Sequence, residues 1–369
     1  MKLLHISSVY KDLVEIFEKQ NPDFKSLNYF DHLNQFMNFS RGQEFSYYYY
    51  FNLHGLKTDV FYINYESLSE KNYLSKNNKK ENVSKLSLLK NKIEEFKPDI
   101  LYLQNSIYFK NQDIYEIKKK FPFIKYVISW ICTPLKKDII SVLDCSDLIL
   151  TCSKEYYKDL IKIHKNVIQI NHAYDERNFN QKKFDSRKFD VSFCGSIIIK
   201  KNFHTKRLNI LKQINSNFGK LNICGRMSLY YKELLNFQNL NNYLQIRKIL
   251  KKPVYGTDYF EMLSNSKICI NTHADNQEFS GNMRLFDVTG QGSLLLTDKT
   301  KDSHQFFIPD KECVEFDNAD EAINKIKWLI INPKKMMEIA ENGRKKTLNF
   351  FSYKKRCEKI NNIINQNIC

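Results

Sequence analysis

The sequence predicts an α/β fold with parallel sheets, divided into two units of similar size. Three observations carry that expectation. Short apolar runs alternate with helix-period segments along almost all of the 369 residues, as in parallel strands joined by crossover helices. That length exceeds one ordinary core and suits two domains. The alternation breaks clearly around residues 175–188, where Asp, Glu, Asn, Lys and Arg crowd together, and this stretch is the best linker candidate.

Before the break, apolar runs predict strands at 2–6, 58–63, 100–104, 126–131, 148–151 and 167–170. Helical patterns fall at 29–54, 83–96, 113–120, 135–143 and 154–163. Pro98 and Asp99 mark a helix-to-strand junction, and Pro122 and Pro134 punctuate others. The run Tyr47, Tyr48, Tyr49 and Tyr50 falls on the long first helix. Four successive aromatics wrap around a helix, so it reads as buried on most sides or at a domain interface. Residues 70–85 are polar and aperiodic and read as a solvated loop or insertion.

After the break, strands are expected at 190–194, 221–224, 268–272, 293–297 and 313–315. Helices are expected at 204–216, 228–237, 257–264, 282–289, 319–331 and 333–350, with a last one at 353–365.

Composition excludes several classes. No apolar run is long enough to span a membrane. The first residues are too short in their apolar part for a signal peptide and read as a strand. The nine cysteines form no CxxC pair, which favours buried free thiols in a reducing cytoplasm over disulfides or zinc. The net charge of +17 invites a nucleic-acid reading. Against it, the lysines are spread along the chain, and no block of like charge with interleaved aromatics forms a stacking platform. A basic surface is equally suited to a nucleoside diphosphate or to peripheral contact with an anionic membrane.

The most informative stretch runs from Gly281 to Asp298: a loop, a short helix, a Gly break at Gly290 and Gly292, and an apolar strand. Asn282 lies in the loop, and Arg284 stands three residues before Asp287, on the same helical face. A loop opening a helix suits a phosphate, and an acid further along suits ribose hydroxyls; a structural Arg284–Asp287 pair is the alternative. Gly195 ends one strand, where the backbone turns and can approach a ligand closely, with Lys200, Lys201 and Arg207 as nearby cations. Gly225 and Arg226 end a second strand, and an Arg fork there suits phosphate or is simply a surface residue. Tyr255 precedes a helix and either lies along a base or packs. His5, Arg41, Gly42, Trp130, Thr133 and His172 fall at strand ends or helix surfaces without metal-ligand spacing.

Taken in order, these pieces resemble a known family. Phe193-Cys194-Gly195-Ser196, Arg207 with Leu211, Cys224-Gly225-Arg226, and Tyr255 to Tyr259 come first. Ser266 to His273, Asn282 to Gly292 and Leu295 to Asp298 follow. The set resembles the CgeB/YkvP-type glycosyltransferases, a branch of the GT-B superfamily related to glycosyltransferase group 1/family 4. Phe307, Glu312, Val314, Ala319-Asp320-Glu321, Ile326, Ile339-Ala340, Gly343, Tyr353 and Arg356 extend it.

The resemblance implies a GT-B fold: two Rossmann-like domains facing across a cleft, with a C-terminal helix crossing back to the N-terminal domain. Residues 1–180 would form the acceptor side, 181–350 the nucleotide-sugar side and 351–369 the returning helix. It implies a metal-independent hexosyltransferase without a cofactor, moving sugar from a nucleotide-diphosphate donor to a glycan, lipid-linked or protein acceptor. Surface polysaccharide or glycoconjugate synthesis would be its setting and the cytoplasm its place. Gly195, Lys200, Arg207, Arg226, Tyr255, Asn282, Arg284 and Asp287 would bind the donor; no catalytic base is identified. Related families carry two glutamates eight residues apart. Here Asp287 takes the second place, Phe279 the first, and Glu278 is out of register. A GT-B epimerase and a decayed sugar-binding module are the alternatives.

Overall fold

The apolar runs of the first half become six parallel strands: β1 (Lys2–Ser7), β2 (Lys57–Tyr62), β3 (Ile100–Leu103), β4 (Tyr126–Ile131), β5 (Leu148–Thr151) and β6 (Val167–Gln169). They form one sheet in the order β2-β1-β3-β4-β5-β6. The chain divides into two units, Met1–Asn171 with Tyr353–Cys369, and His172–Ser352. The computed structural model describes residues 1–74, 83–133, 135, 140, 142–180, 182–201 and 203–368.

In the first unit the central strands carry apolar side chains on both faces, so helices cover both. Leu4, Ile6, Leu101, Leu103 and Val127 pack with Leu89, Ile93, Ile114 and Ile117 from two such helices, Lys85–Phe96 and Asn111–Lys120. The single helix expected at 29–54 is two helices, Tyr29–Ser40 and Gln43–Leu53. Arg41 adopts a left-handed conformation (φ 48°) that closes the first, and Gly42 opens the second. Tyr47, Tyr50 and Phe51 are buried, while Tyr49 faces solvent. A helix Lys11–Gln20, absent from the sequence-based reading, follows β1. Helix Glu66–Leu74 occupies part of the expected loop, and residues 75–82 of that loop lie outside the described residues. The helix expected at 135–143 also lies largely outside them.

Cys132 and Cys152 correct the expectation of free thiols throughout. Each follows the end of its strand, β4 or β5, whose register pairs Ile131 with Thr151. The two are joined by a disulfide with Cα atoms 5.7 Å apart. Among the described residues Cys145, Cys194, Cys224, Cys269, Cys313 and Cys357 form no disulfide, and Cys369 lies outside those residues.

The last helix, Tyr353–Ile368, returns to the first unit. Arg356 anchors it: its guanidinium donates to the Asn171 carbonyl at 2.7 Å and lies 4.4 Å from the Trp130 ring.

The second unit contains β7 (Phe189–Cys194), β8 (Ile197–Ile199), β9 (Asn222–Cys224), β10 (Met227–Leu229), β11 (Leu250–Lys251), β12 (Ser266–Asn271), β13 (Leu294–Asp298) and β14 (Val314–Phe316). Its main sheet has the order β11-β9-β7-β12-β13-β14, and β8 and β10 form a small second sheet. All pairs are parallel. Helices Thr205–Phe218, Phe237–Ile249, Ala319–Ile331 and Pro333–Phe350 bury one face around Leu208, Leu211, Ile246, Ile323, Ile326 and Ile339. The other face packs around Leu285, Phe286, Val288, Phe306 and Phe307.

The helix expected at 228–237 is not formed. Met227–Leu229 pairs instead with the edge offered by β8, a 3₁₀ turn Tyr231–Leu235 follows, and helix Phe237–Ile249 starts under an Asn236 cap. Among the described residues, no helix is long and apolar enough to cross a membrane.

Candidate functional site

In the main sheet of the second unit β7 is central. The next two strands in sequence, β9 and β11, step out to one side, and β12, β13 and β14 to the other. Sheets wound this way bind ligands beyond the carboxyl ends of their strands, where the order reverses. That point lies between β7 and β12.

β7 and β9 break together there. Gly195 N–H donates to the Cys224 carbonyl at 3.0 Å and Ile197 N–H to the Arg226 carbonyl at 2.8 Å. The strands then resume in register as β8 and β10. Backbone crowding requires glycine at Gly225, while at Gly195 an added side chain would displace the movable end of Arg284. A Cβ on Gly225 would strike the Gly195 carbonyl, and one on Gly195 would strike the Arg284 guanidinium.

Arg284 opens helix Arg284–Gly290. Its guanidinium donates to Asn271 Oδ1 at 2.8 Å, at the end of β12, and lies 5.1 Å from the Phe193 ring. It thus spans the switch point from β12 to the Gly195 turn. It does not turn its hydrogen bonds to Asp287, the alternative that helical spacing left open. Asp287 is 3% exposed, and its Oδ2 accepts from the Tyr259 hydroxyl at 3.1 Å. Burial pushes its carboxyl up to about 7, against the opposing pull of Tyr259 and Arg284.

Arg207 is placed one layer behind. It donates to Thr272 Oγ1 and the Thr272 carbonyl, both at 2.7 Å, and to the Ser196 carbonyl at 2.6 Å. It therefore ties the turn after β7 to the end of β12. Burial and the neighbouring Arg284 lower it to about 9, with Asp298 and Asp275 opposing. Arg284 thus disfavours the charge on Arg207, and the positive field of the pair is one that an anion would relieve.

The remaining sequence-predicted residues form the rim. Lys200 and Arg226 are exposed just past β8 and β9. Lys200 Nζ lies 5.5 Å from the Tyr230 ring, and the Arg226 guanidinium 5.9 Å from the Tyr255 ring. Tyr255 precedes helix Gly256–Ser264, whose Tyr259 reaches Asp287. Asn282 lies in the loop before Arg284, and its Oδ1 is buried without a partner among the described residues.

Several participants escape sequence reasoning. Tyr259 lies one helical turn beyond Tyr255, a spacing that signals a shared face, but its bond to Asp287 spans 28 residues without a local pattern. Asn271 and Thr272 read as strand. His273 and Asp298, at the ends of β12 and β13, are joined by a 2.7 Å contact from Nδ1, while His273 Nε2 is buried without a partner among the described residues. Glu278 is bound to Lys301, and Phe279 is buried.

Residues 206–362 match a family model described as glycosyl transferase-like. No curated protein matches the sequence. Solved structures share the fold over almost the whole chain. Sucrose-phosphate synthase from Thermosynechococcus elongatus is 10% identical with a TM-score of 0.61, covering 99% of this chain and 98% of that one. Anabaena HepE in complex with UDP and glucose is 12% identical with a TM-score of 0.59, covering 99% and 100%. A glycosyltransferase from Rickettsia africae ESF-5 is 11% identical with a TM-score of 0.61, covering 98% and 97%. The chain therefore has the GT-B fold.

Proposed function

We propose that the protein is a glycosyltransferase that moves a hexose-type sugar from a nucleoside-diphosphate donor to a glycan, lipid-linked or protein acceptor. Surface polysaccharide or glycoconjugate synthesis is the setting this suits, on the model of the CgeB-type branch. One observation carries the reading. At the switch point of a sheet, a buried carboxylate with a tyrosine partner stands one helical turn from an arginine that covers a glycine turn. The glycosyl transferase-like match over 206–362 spans most of these residues.

In this reading Arg284, Lys200 and Arg226 offset the diphosphate charge, which stabilises the departing nucleotide without a divalent metal. Gly195 keeps the approach open, and Arg207 holds the turn and strand end that present Arg284. Asp287 accepts from ribose hydroxyls, with Tyr259 orienting it. Tyr255 lies along the base, and Asn282 Oδ1 accepts from a donor hydroxyl.

Titration of the purified protein with UDP, GDP and ADP, beside the Asp287→Ala variant, tests the reading. At least one nucleotide is expected to bind the native chain and to lose most of its affinity in the variant. Transfer is expected to persist in EDTA. Failure of all three nucleotides to bind overturns the proposal.

A further inference from the structure

The charge of this chain is unevenly placed. Between Val191 and Thr257 stand twelve Lys and Arg and one acid, Glu233. Ten of the twelve cations are exposed. The same stretch carries the two most exposed large apolar side chains among the described residues of the second unit, with an exposed tyrosine beside them. Leu235 is 92% exposed, Phe237 81% and Tyr231 71%.

These residues are neighbours. Tyr230 N–H continues the small sheet by donating to the Ile199 carbonyl, and Lys200 lies over the Tyr230 ring. The 3₁₀ turn Tyr231–Leu235 then leads directly into helix Phe237–Ile249. That helix buries Asn242, Tyr243 and Ile246. Phe237, Asn241, Leu244 and Lys248 fall on one opposite stripe, and all four are exposed.

We infer that the turn Tyr231–Leu235 and the outward stripe of helix Phe237–Ile249 form a docking surface for an anionic lipid bilayer. Leu235 and Phe237 enter the acyl boundary, Tyr231 sits at headgroup level, and Lys232 and Lys248 meet lipid phosphates. Charge selects this occupant. A second copy would present the same cations and be repelled. A nucleic acid would match the charge and find rings at Tyr231 and Phe237, but Leu235, the most exposed of the three, is aliphatic and offers nothing to stack on, whereas an acyl boundary accepts all three. The turn and the stripe contain none of the residues given to the donor, although Lys200 over the Tyr230 ring adjoins them, and the inference does not depend on the reaction proposed above.

Flotation of the full chain with vesicles of phosphatidylcholine alone, or mixed with phosphatidylglycerol, tests it. Flotation is expected with the mixed vesicles and to be much weaker with phosphatidylcholine. The pair Leu235→Ser with Phe237→Ser is expected to lower partitioning more than about tenfold. Lys232→Gln and Lys248→Gln are expected to lower it about fivefold each, with the loss shrinking in high salt. Nucleotide affinity and melting temperature, measured on each variant, should stay as in the native chain, which separates lost docking from lost folding. Equal flotation with both vesicle types, or undiminished flotation of the serine pair, overturns the inference. So does binding to single-stranded RNA in place of vesicles.

Discussion

The Tyr259 hydroxyl donates to Oδ2 of Asp287 at 3.1 Å, joining helix Gly256–Ser264 to helix Arg284–Gly290 beside the switch point of the second sheet. A carboxylate so enclosed has one strong donor and little water, so its charge is set by its neighbours.

The first expectation concerns stability. Burial raises Asp287 from 3.8 to about 7. Between those values the folded chain holds a proton that the unfolded chain has released. Stability therefore falls as pH rises from about 4 to about 7 and levels off above, by an amount on the order of a few kcal/mol. Asp287→Asn removes this loss. Its melting temperature is expected to exceed that of the native chain at about pH 8 and to lose that advantage at about pH 5. A difference independent of pH would contradict the account.

The second concerns binding. An ionised carboxylate accepts ribose hydroxyls more strongly than a neutral acid does. Nucleotide affinity should therefore rise with pH through about 7 in the native chain and be flat in Asp287→Asn. The Tyr259 hydrogen bond lowers Asp287, so Tyr259→Phe should move the midpoint of that rise upward. It should also cost about 1 kcal/mol of stability. Calorimetric titration across pH reads the midpoint, and an unmoved midpoint would rule out the coupling.

Much of the architecture was legible because it rests on local pattern. β4 and β5 are largely apolar runs, interrupted by Ser129 and ended by Thr151, and their bounds match those read from sequence. The break of the helix at Arg41-Gly42 was hidden by helical periodicity on both sides. The small sheet was hidden for another reason: Ile197–Ile199 and Met227–Leu229 are too short to read alone and exist because two glycine turns pack together. The same holds for the site. Asp287 and Arg284 were found by spacing along one helix. Tyr259, Asn271 and Thr272 reach them only through the tertiary fold, which leaves no periodic trace.

Gly225 gives the third expectation. A Cβ there would meet the Gly195 carbonyl, which is backbone and cannot swing aside. Gly225→Ala should force the two turns apart and cost about 1–3 kcal/mol. Thermal unfolding followed by circular dichroism measures this, and an unchanged melting temperature would show that the turns do not depend on each other.

The last expectation separates two arginines that sequence reasoning grouped together. Arg207 is 6% exposed and ties the Ser196 carbonyl to Thr272 through three hydrogen bonds. A lysine presents a point charge without the planar fork, so Arg207→Lys leaves buried acceptors unmet. About 3 kcal/mol of stability should be lost, with or without nucleotide. Arg284 is half-buried, with its guanidinium bound to Asn271 at the edge of the switch point. Arg284→Lys keeps the charge and should change the melting temperature little. Loss of the fork should weaken nucleotide binding about tenfold, or about 1.4 kcal/mol. The two variants should thus differ in which readout moves, melting for Arg207 and nucleotide affinity for Arg284. If both move affinity alone, Arg207 is a ligand contact and not a brace, because a brace cannot be weakened without loosening the turn it holds.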